Sequence, residues 1–189
     1  MMILVTGGSG SGKSAFAEDC VLALGEKKRI YIATMFPFDE ESKKRVARHR
    51  NMRSGKGFET VECYTGLKNV KVPVQSTVLL ECMSNLTANE MFQENGAGEN
   101  TVEAVIEGVG SLCRQAGDIV IVTNEIFSEA VVYEGETETY QKYLGLINQK
   151  LARLADQVVE VVYGIPVYHK QELPLLDFSE IHKIREELS

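Results

Sequence analysis

The stretch "MMILVTGGSGSGKS", residues 1–14, decides the fold. An apolar, strand-like run passes without a break into a loop of glycine and serine. Gly7, Gly12, Lys13 and Ser14 fit G-x-x-x-x-G-K-[ST], and the motif has its required context, a strand before and a helical stretch after. Glycines let the backbone curl so that successive N–H groups point at phosphate oxygens. The helix starting near Lys13 adds the positive end of its dipole. In such a loop Lys13 reaches the β- and γ-phosphates, and Ser14 ligates Mg²⁺. A plain Gly/Ser turn is the alternative, and the flanking strand and helix weigh against it. A Mg²⁺-bound triphosphate also calls for a carboxylate at the end of a neighbouring strand. Glu81, closing "TVLLEC", is the candidate and Glu125, closing "DIVIVTNE", the rival; either could instead cap a helix.

Working outward, short β-branched runs recur between helical stretches. "MILVTG", "RIYIAT", "TVLLEC", "DIVIVTNE" and "QVVEVVYG" are predicted strands, with "FETVEC" a weaker one. Several are apolar throughout, as strands covered on both faces are. Val102, Ile106, Val109 and Leu112 recur at helical steps in 101–116, as do Tyr140, Leu144, Ile147, Leu151 and Leu154 in 138–156. The alternation predicts an α/β fold with a mostly parallel sheet. With the glycine loop, this is the P-loop NTPase (RecA-like) three-layer class. Segments 93–100 and 133–138 read as loops. Residues 1–170 form one catalytic domain and 171–189 a tail ending in a surface helix.

The composition limits the function. The 189 residues carry 20 Lys and Arg against 27 Asp and Glu, a net charge of -7. That balance argues against a nucleic-acid partner, so any anion site must be local. No apolar run reaches the ~18 residues that span a membrane. The N-terminus, with no basic leader, reads as a strand and not a signal peptide. Cys20, Cys63, Cys82 and Cys113 have no CxxC spacing, which makes zinc an unfavoured reading and predicts reduced thiols in a cytoplasmic protein.

Against this acidic background, "KKRVARHRNMRS", Lys43 to Ser54, holds six basic residues and one histidine. Asp39, Glu40 and Glu41 suit the first turn of a helix over "DEESKKRVARHRNMRS". Arg45, His49 and Arg53 then sit four apart on one face. Like charges at that spacing repel, and an anion between them would relieve the repulsion. Flanking guanidinium groups disfavour a protonated imidazole, and a neutral imidazole can attack phosphorus. A solvated basic face with an incidental histidine is the competing reading. His169 and His182, near the C-terminus, are weaker candidates. Cys82 reads as a small buried residue and not a nucleophile.

In order along the chain come "MILVTGGSGSGKS", "YIAT" at 31–34, the Arg45–His49–Arg53 spacing, "LLEC" at 79–82, "TNE" at 123–125 and "NQKLARLADQV" at 148–158, running into "YGIP". This set resembles the bifunctional adenosylcobinamide kinase / adenosylcobinamide-phosphate guanylyltransferase family of cobalamin assembly, over roughly residues 1–170. The resemblance implies two reactions. A nucleoside triphosphate (ATP or GTP) phosphorylates the aminopropanol hydroxyl of adenosylcobinamide. GTP then gives GMP to that phosphate, releasing pyrophosphate and yielding adenosylcobinamide-GDP. His49 matches the histidine that carries GMP covalently. The resemblance also implies Lys13 as a catalytic residue, Mg²⁺ at Ser14 and Glu81, and a homotrimer. Nucleotide contacts are implied at Gly7, Gly8, Ser9, Gly10, Ser11, Gly12, Lys13, Ser14, Ala33, Thr34, Met35, Arg45, Arg50, Asn51, Met52, Arg53, Glu62 and Glu81. A carboxylate at Glu62 could accept guanine N–H donors or ribose hydroxyls.

The chain departs from the family pattern at Ser54, where Pro is usual, and at Phe58, where Trp is usual. It also departs at Ile126 and Phe127 (usually Val-Gly) and at Gln141 (usually Arg). One alternative is a P-loop kinase for another small alcohol, with His49 only binding phosphate. A GTP-dependent switch is disfavoured because neither N-K-x-D nor D-x-x-G occurs.

Overall fold

A computed structural model of the chain describes residues 1–126 and 134–171. Within the basic helix it describes the backbone but not the side chains of Arg45, His49 and Met52. Strands β1 (Met2–Thr6), β2 (Arg29–Ala33), β3 (Phe58–Glu62), β4 (Thr77–Glu81), β5 (Asp118–Val122), β6 (Gln157–Val162) and β7 (Ile165–Gln171) form one sheet, in the order β3-β2-β4-β5-β1-β6-β7. Every pairing from β3 to β6 is parallel, and β6–β7 is antiparallel.

The strict alternation of side chains in a strand sorts this sheet into two cores. Met2 and Leu4 of β1 and Ile119 and Ile121 of β5 face one side. There they meet Met83 and Leu86 of α3 (Met83–Phe92), Val105, Val109 and Leu112 of α4 (Thr101–Gln115), and Leu144, Ile147 and Leu151 of α5 (Glu136–Leu154). Ile3, Val5, Val120 and Val122 face the other side, against Ala17, Cys20 and Val21 of α1 (Lys13–Ala23). The result is three layers, and it explains why the interior positions of the central strands β1, β4 and β5 are apolar.

The basic segment is a helix, α2 (Glu40–Arg53), with Asp39 as its N-cap. Asp39 Oδ1 accepts from Ser42 N at 2.6 Å, and Ser42 Oγ accepts from Asp39 N at 3.0 Å, a reciprocal capping box. Glu40 and Glu41 lie in the first turn, Arg50 and Arg53 in the last, each sign at the dipole end that suits it.

Four details differ from the sequence expectations. The 93–100 loop contains a 3-10 turn, Gly98–Asn100. Helix α5 starts at Glu136, two residues earlier than periodicity suggested, so the loop expected at 133–138 is shorter. Polar residues at 136–139 hide a helix start because they bury nothing. Helix α3 was not anticipated, since "MSNLTANEMF" mixes polar and apolar residues without a clear stripe. Strand β7 was also not anticipated; it extends to Gln171, one residue past the expected domain end, and makes His169 a strand residue. Its alternating exposure suits a strand with one face turned toward the protein and the other toward solvent. The rest of the tail, with His182, lies outside the described residues, as does Phe127.

Asp118, at the start of β5, ties down the edge remote from the glycine loop. Burial pushes its carboxyl up, but hydrogen bonds from Lys27 Nζ at 2.5 Å and the Met1 amino group at 3.0 Å outweigh that, and its pKa lies below the ordinary value. A depressed carboxyl stabilises the fold above its unfolded pKa, and that stability is lost as pH falls through the folded one. The urea midpoint of the wild type should therefore drop below about pH 4 more steeply than that of Asp118→Asn.

Candidate active site

The loop after β1 requires its glycines. Gly7 has φ 151°, and a Cβ there would lie 2.6 Å from Val161 O. Gly12 caps α1 in the left-handed region at φ 93°. The unanticipated hairpin props this loop from below. Its turn, Tyr163–Gly164, has positive φ at both residues, and Gly164 N donates to Ser11 O at 2.8 Å. Lys13 Nζ bends back to donate to Gly8 O at 3.1 Å, which places its ammonium over the loop.

Glu81 was expected on a strand neighbouring β1. In the sheet it closes β4, and β5 intervenes. It still reaches the loop: Ser14 Oγ, in the first turn of α1, lies 2.5 Å from Glu81 Oε1. Glu125, the rival, lies beyond the end of β5, and its backbone N donates to Gly7 O at 3.2 Å. The Glu81–Cys82 peptide is cis. Burial raises the Cys82 thiol pKa, which keeps it protonated. The Ser14–Glu81 pair fits Mg²⁺, which takes one or two protein oxygens and fills its remaining positions with water and phosphate. Among the described residues no group of three or more His, Cys, Asp or Glu gathers to hold a metal by itself, so a divalent ion here would depend on the nucleotide.

An open cleft of about 880 Å³ spreads over the loop and the adjoining strand ends. Of the expected contact residues, Ser9, Gly10, Ser11, Gly12, Lys13, Ser14, Ala33, Met35, Arg50, Asn51, Arg53, Glu62 and Glu81 line it. Gly7, Gly8 and Thr34 do not. Thr34 is fully buried, with its hydroxyl 2.9 Å from the carbonyl oxygens of Glu81 and Cys82, and so holds the wall together. Glu62 Oε1 accepts from Arg50 Nη2 at 2.7 Å and Oε2 from Tyr64 Oη at 2.9 Å. Each carboxylate oxygen keeps acceptor capacity for a ligand N–H or O–H. Lys13, Lys43, Arg48, Arg50 and Arg53 bring positive charge to the cleft in an acidic chain.

The sequence reading put Arg53 on a stripe with Arg45 and His49. The structure gives Arg53 a second task. Its guanidinium lies 3.3 Å over the ring centroid of Tyr31, and the residue is 6% exposed. Tyr31 Oη donates to Glu81 Oε2 at 3.0 Å, and Phe58 meets its ring edge-on at 6.4 Å. Arg53, Tyr31, Glu81 and Ser14 thus form one chain of contacts from the end of α2 to the phosphate loop. In the sequence Tyr31 sits within the apolar strand run "RIYIAT", which carries no sign of this role. Burial, and then the Glu81 carboxylate, push its hydroxyl pKa far up, so it stays a donor. Tyr31→Phe should keep the stack but cost about 1.5–3 kcal/mol in urea unfolding, as loss of a hydrogen bond to a charged group does. The loop after α2 is held as well: Lys56 Nζ pairs with the buried Glu18 of α1, and Arg29 Nη1 donates to Lys56 O at 3.0 Å.

A parallel sheet, a glycine loop that opens onto a helix, and an acid set against the first hydroxyl of that helix define a P-loop nucleotide-binding protein. In fold the chain is similar to a prototypical ATPase from the type III secretion system of pathogenic bacteria. The TM-score is 0.51 at 10% identity, over 84% of this chain and 51% of that one. Residues 3–168 match the family described as cobinamide kinase / cobinamide phosphate guanyltransferase, and the chain belongs to that family. It is 33% identical to the bifunctional adenosylcobalamin biosynthesis protein CobU of Escherichia coli (strain K12) and 32% identical to that of Salmonella typhimurium (strain LT2). Both alignments cover 88% of this chain and 98% of the relative.

Proposed function

We propose that this protein phosphorylates adenosylcobinamide with ATP or GTP and then guanylylates the product, through a GMP carried on His49. The observation that carries the reading is that the phosphate loop and helix α2 border one cleft. Val46 and Arg53, three before and four after position 49, both line it together with Lys13 and Ser14. Residues at those spacings share a helix face.

In the first reaction the substrate hydroxyl attacks the γ-phosphorus and the bond to the bridging oxygen breaks, releasing the nucleoside diphosphate. In the second, an imidazole nitrogen of His49 attacks the α-phosphorus of GTP and pyrophosphate leaves. A phosphate oxygen of adenosylcobinamide phosphate then attacks the phosphoramidate, freeing the imidazole and forming the diphosphate link. Lys13, Arg50 and Arg53 neutralise the charge that builds on phosphate oxygens, and the loop amides fix their position. Ser14 and Glu81 would hold Mg²⁺, which supplies further charge neutralisation. Glu62 accepts from guanine or ribose in this reading, which the acceptor capacity left on its carboxylate supports. The reading includes a homotrimer working in the cytoplasm; among the described residues no helix is long and apolar enough to cross a membrane.

The test is direct. Purified protein with adenosylcobinamide, GTP and MgCl₂ should yield adenosylcobinamide phosphate and then adenosylcobinamide-GDP, followed by chromatography and mass spectrometry. Turnover of a different alcohol, with none of adenosylcobinamide, would overturn the reading.

A further inference from the structure

A second cleft, of about 810 Å³, opens beside the first and shares Met35 and Asn85 with it. Its walls differ in chemistry from those of the nucleotide cleft. Phe36 and Phe38 present their rings at 43% and 77% exposure, and exposed apolar surface beside a polar rim marks a binding site. Phe36 also meets Tyr64 edge-on at 5.1 Å, which links this wall to the Glu62 side of the first cleft.

The facing wall is made of carboxamides. Asn85, Asn89 and Gln93 follow at four-residue steps along α3 and its C-cap, which aligns them on one face. Asn95, in the turn after the helix, also lines the cleft. Asn89 Nδ2 donates to Thr34 O at 2.8 Å, which fixes its amide plane. A carboxamide both donates and accepts, so a row of them suits a ligand that carries amides of its own. Among the described residues the charged groups lining this cleft are Asp39, Glu41 and Glu94, whereas the nucleotide cleft gathers Lys and Arg. A second phosphate-bearing ligand is therefore disfavoured here, and a neutral or cationic one favoured.

We propose that this second cleft is the corrinoid subsite. The inference rests on the functional reading above. A corrinoid has a broad apolar macrocycle for Phe36 and Phe38 to cover. Its rim bears primary amides that match the carboxamide row. Cobalt(III) with one corrin anion and one alkyl anion leaves a single net positive charge to face the acidic rim. Bound there, the substrate sends its aminopropanol arm past Met35 and Asn85 into the nucleotide cleft, where the hydroxyl meets the γ-phosphate.

Phe38→Ala and Gln93→Ala, singly and combined, test the assignment in the full chain, by steady-state assay of the phosphorylation step. In the double variant the KM for adenosylcobinamide should rise about tenfold or more, the loss expected when roughly 1.4 kcal/mol of binding is removed. The KM for the triphosphate and kcat at saturating adenosylcobinamide should stay near wild-type values. An unchanged KM for adenosylcobinamide in the double variant would overturn the subsite and leave the functional reading intact. Equal rises in both KM values would also overturn it, because they would mark general damage and not a separate site. A wild type that binds nucleotide but never phosphorylates adenosylcobinamide would remove the functional reading, and the subsite with it.

Discussion

His49→Ala should lose guanylyl transfer by about a thousandfold or more, the scale seen when a covalent nucleophile is removed, while phosphorylation of adenosylcobinamide continues near the wild-type rate. The separation follows from the chemistry. Phosphorylation needs the substrate hydroxyl, the loop amides and Lys13, none of which depends on an imidazole. On the proposed covalent route, guanylylation needs a nitrogen nucleophile whose adduct is reactive enough to pass GMP on. With GTP radiolabelled at the α-phosphate, the wild type should retain acid-labile, alkali-stable label and His49→Ala none. Adenosylcobinamide-GDP formed by the variant at the wild-type rate would eliminate the covalent route. Because α2 is mostly polar and capped by Asp39 and Ser42, alanine at an interior position suits the helix, and the variant should fold.

Lys13→Ala should depress both reactions, with kcat/KM falling roughly 100- to 1,000-fold, as happens when a preorganised group facing transition-state charge is lost. Lys13 is the first residue of α1 and its ammonium already lies over the loop, on Gly8 O. No other lysine comes from the loop itself, so the loop has no second ammonium to replace it. Triphosphate KM and kcat, measured for each reaction in turn, give the comparison. A variant impaired in one reaction alone would show that the two do not share the loop.

The fold was largely legible because its decisive signals are local. An apolar strand, a glycine loop and a lysine at the start of a helix cannot be rearranged without losing the phosphate cradle. Continuous apolar runs marked the buried strands, and the capping acids marked the start of α2. What escaped was set by tertiary context. Strand β7 has no fully buried position and only one partly covered face, so it reads as a surface segment, and the support that its hairpin gives Ser11 through Gly164 became visible only once folded. Strand order was equally hidden. Glu81 stands beside Ser14, but not from a strand adjoining β1: β5 intervenes, and α1 brings Ser14 to it. Tyr31 looked like core and is core, yet its hydroxyl and ring join α2 to the phosphate loop. No periodicity reveals a contact between residues 31, 53 and 81.

The central claim is that one cleft brings His49 and the triphosphate together. A crystal structure with a non-hydrolysable GTP analogue bound at the loop tests it most directly. An imidazole nitrogen of His49, from the same subunit or an adjoining one, should lie about 3–3.5 Å from the α-phosphorus, the range of a near-attack geometry. An imidazole directed into bulk solvent in every subunit, with the nucleotide seated on Lys13 and Ser14, would contradict it.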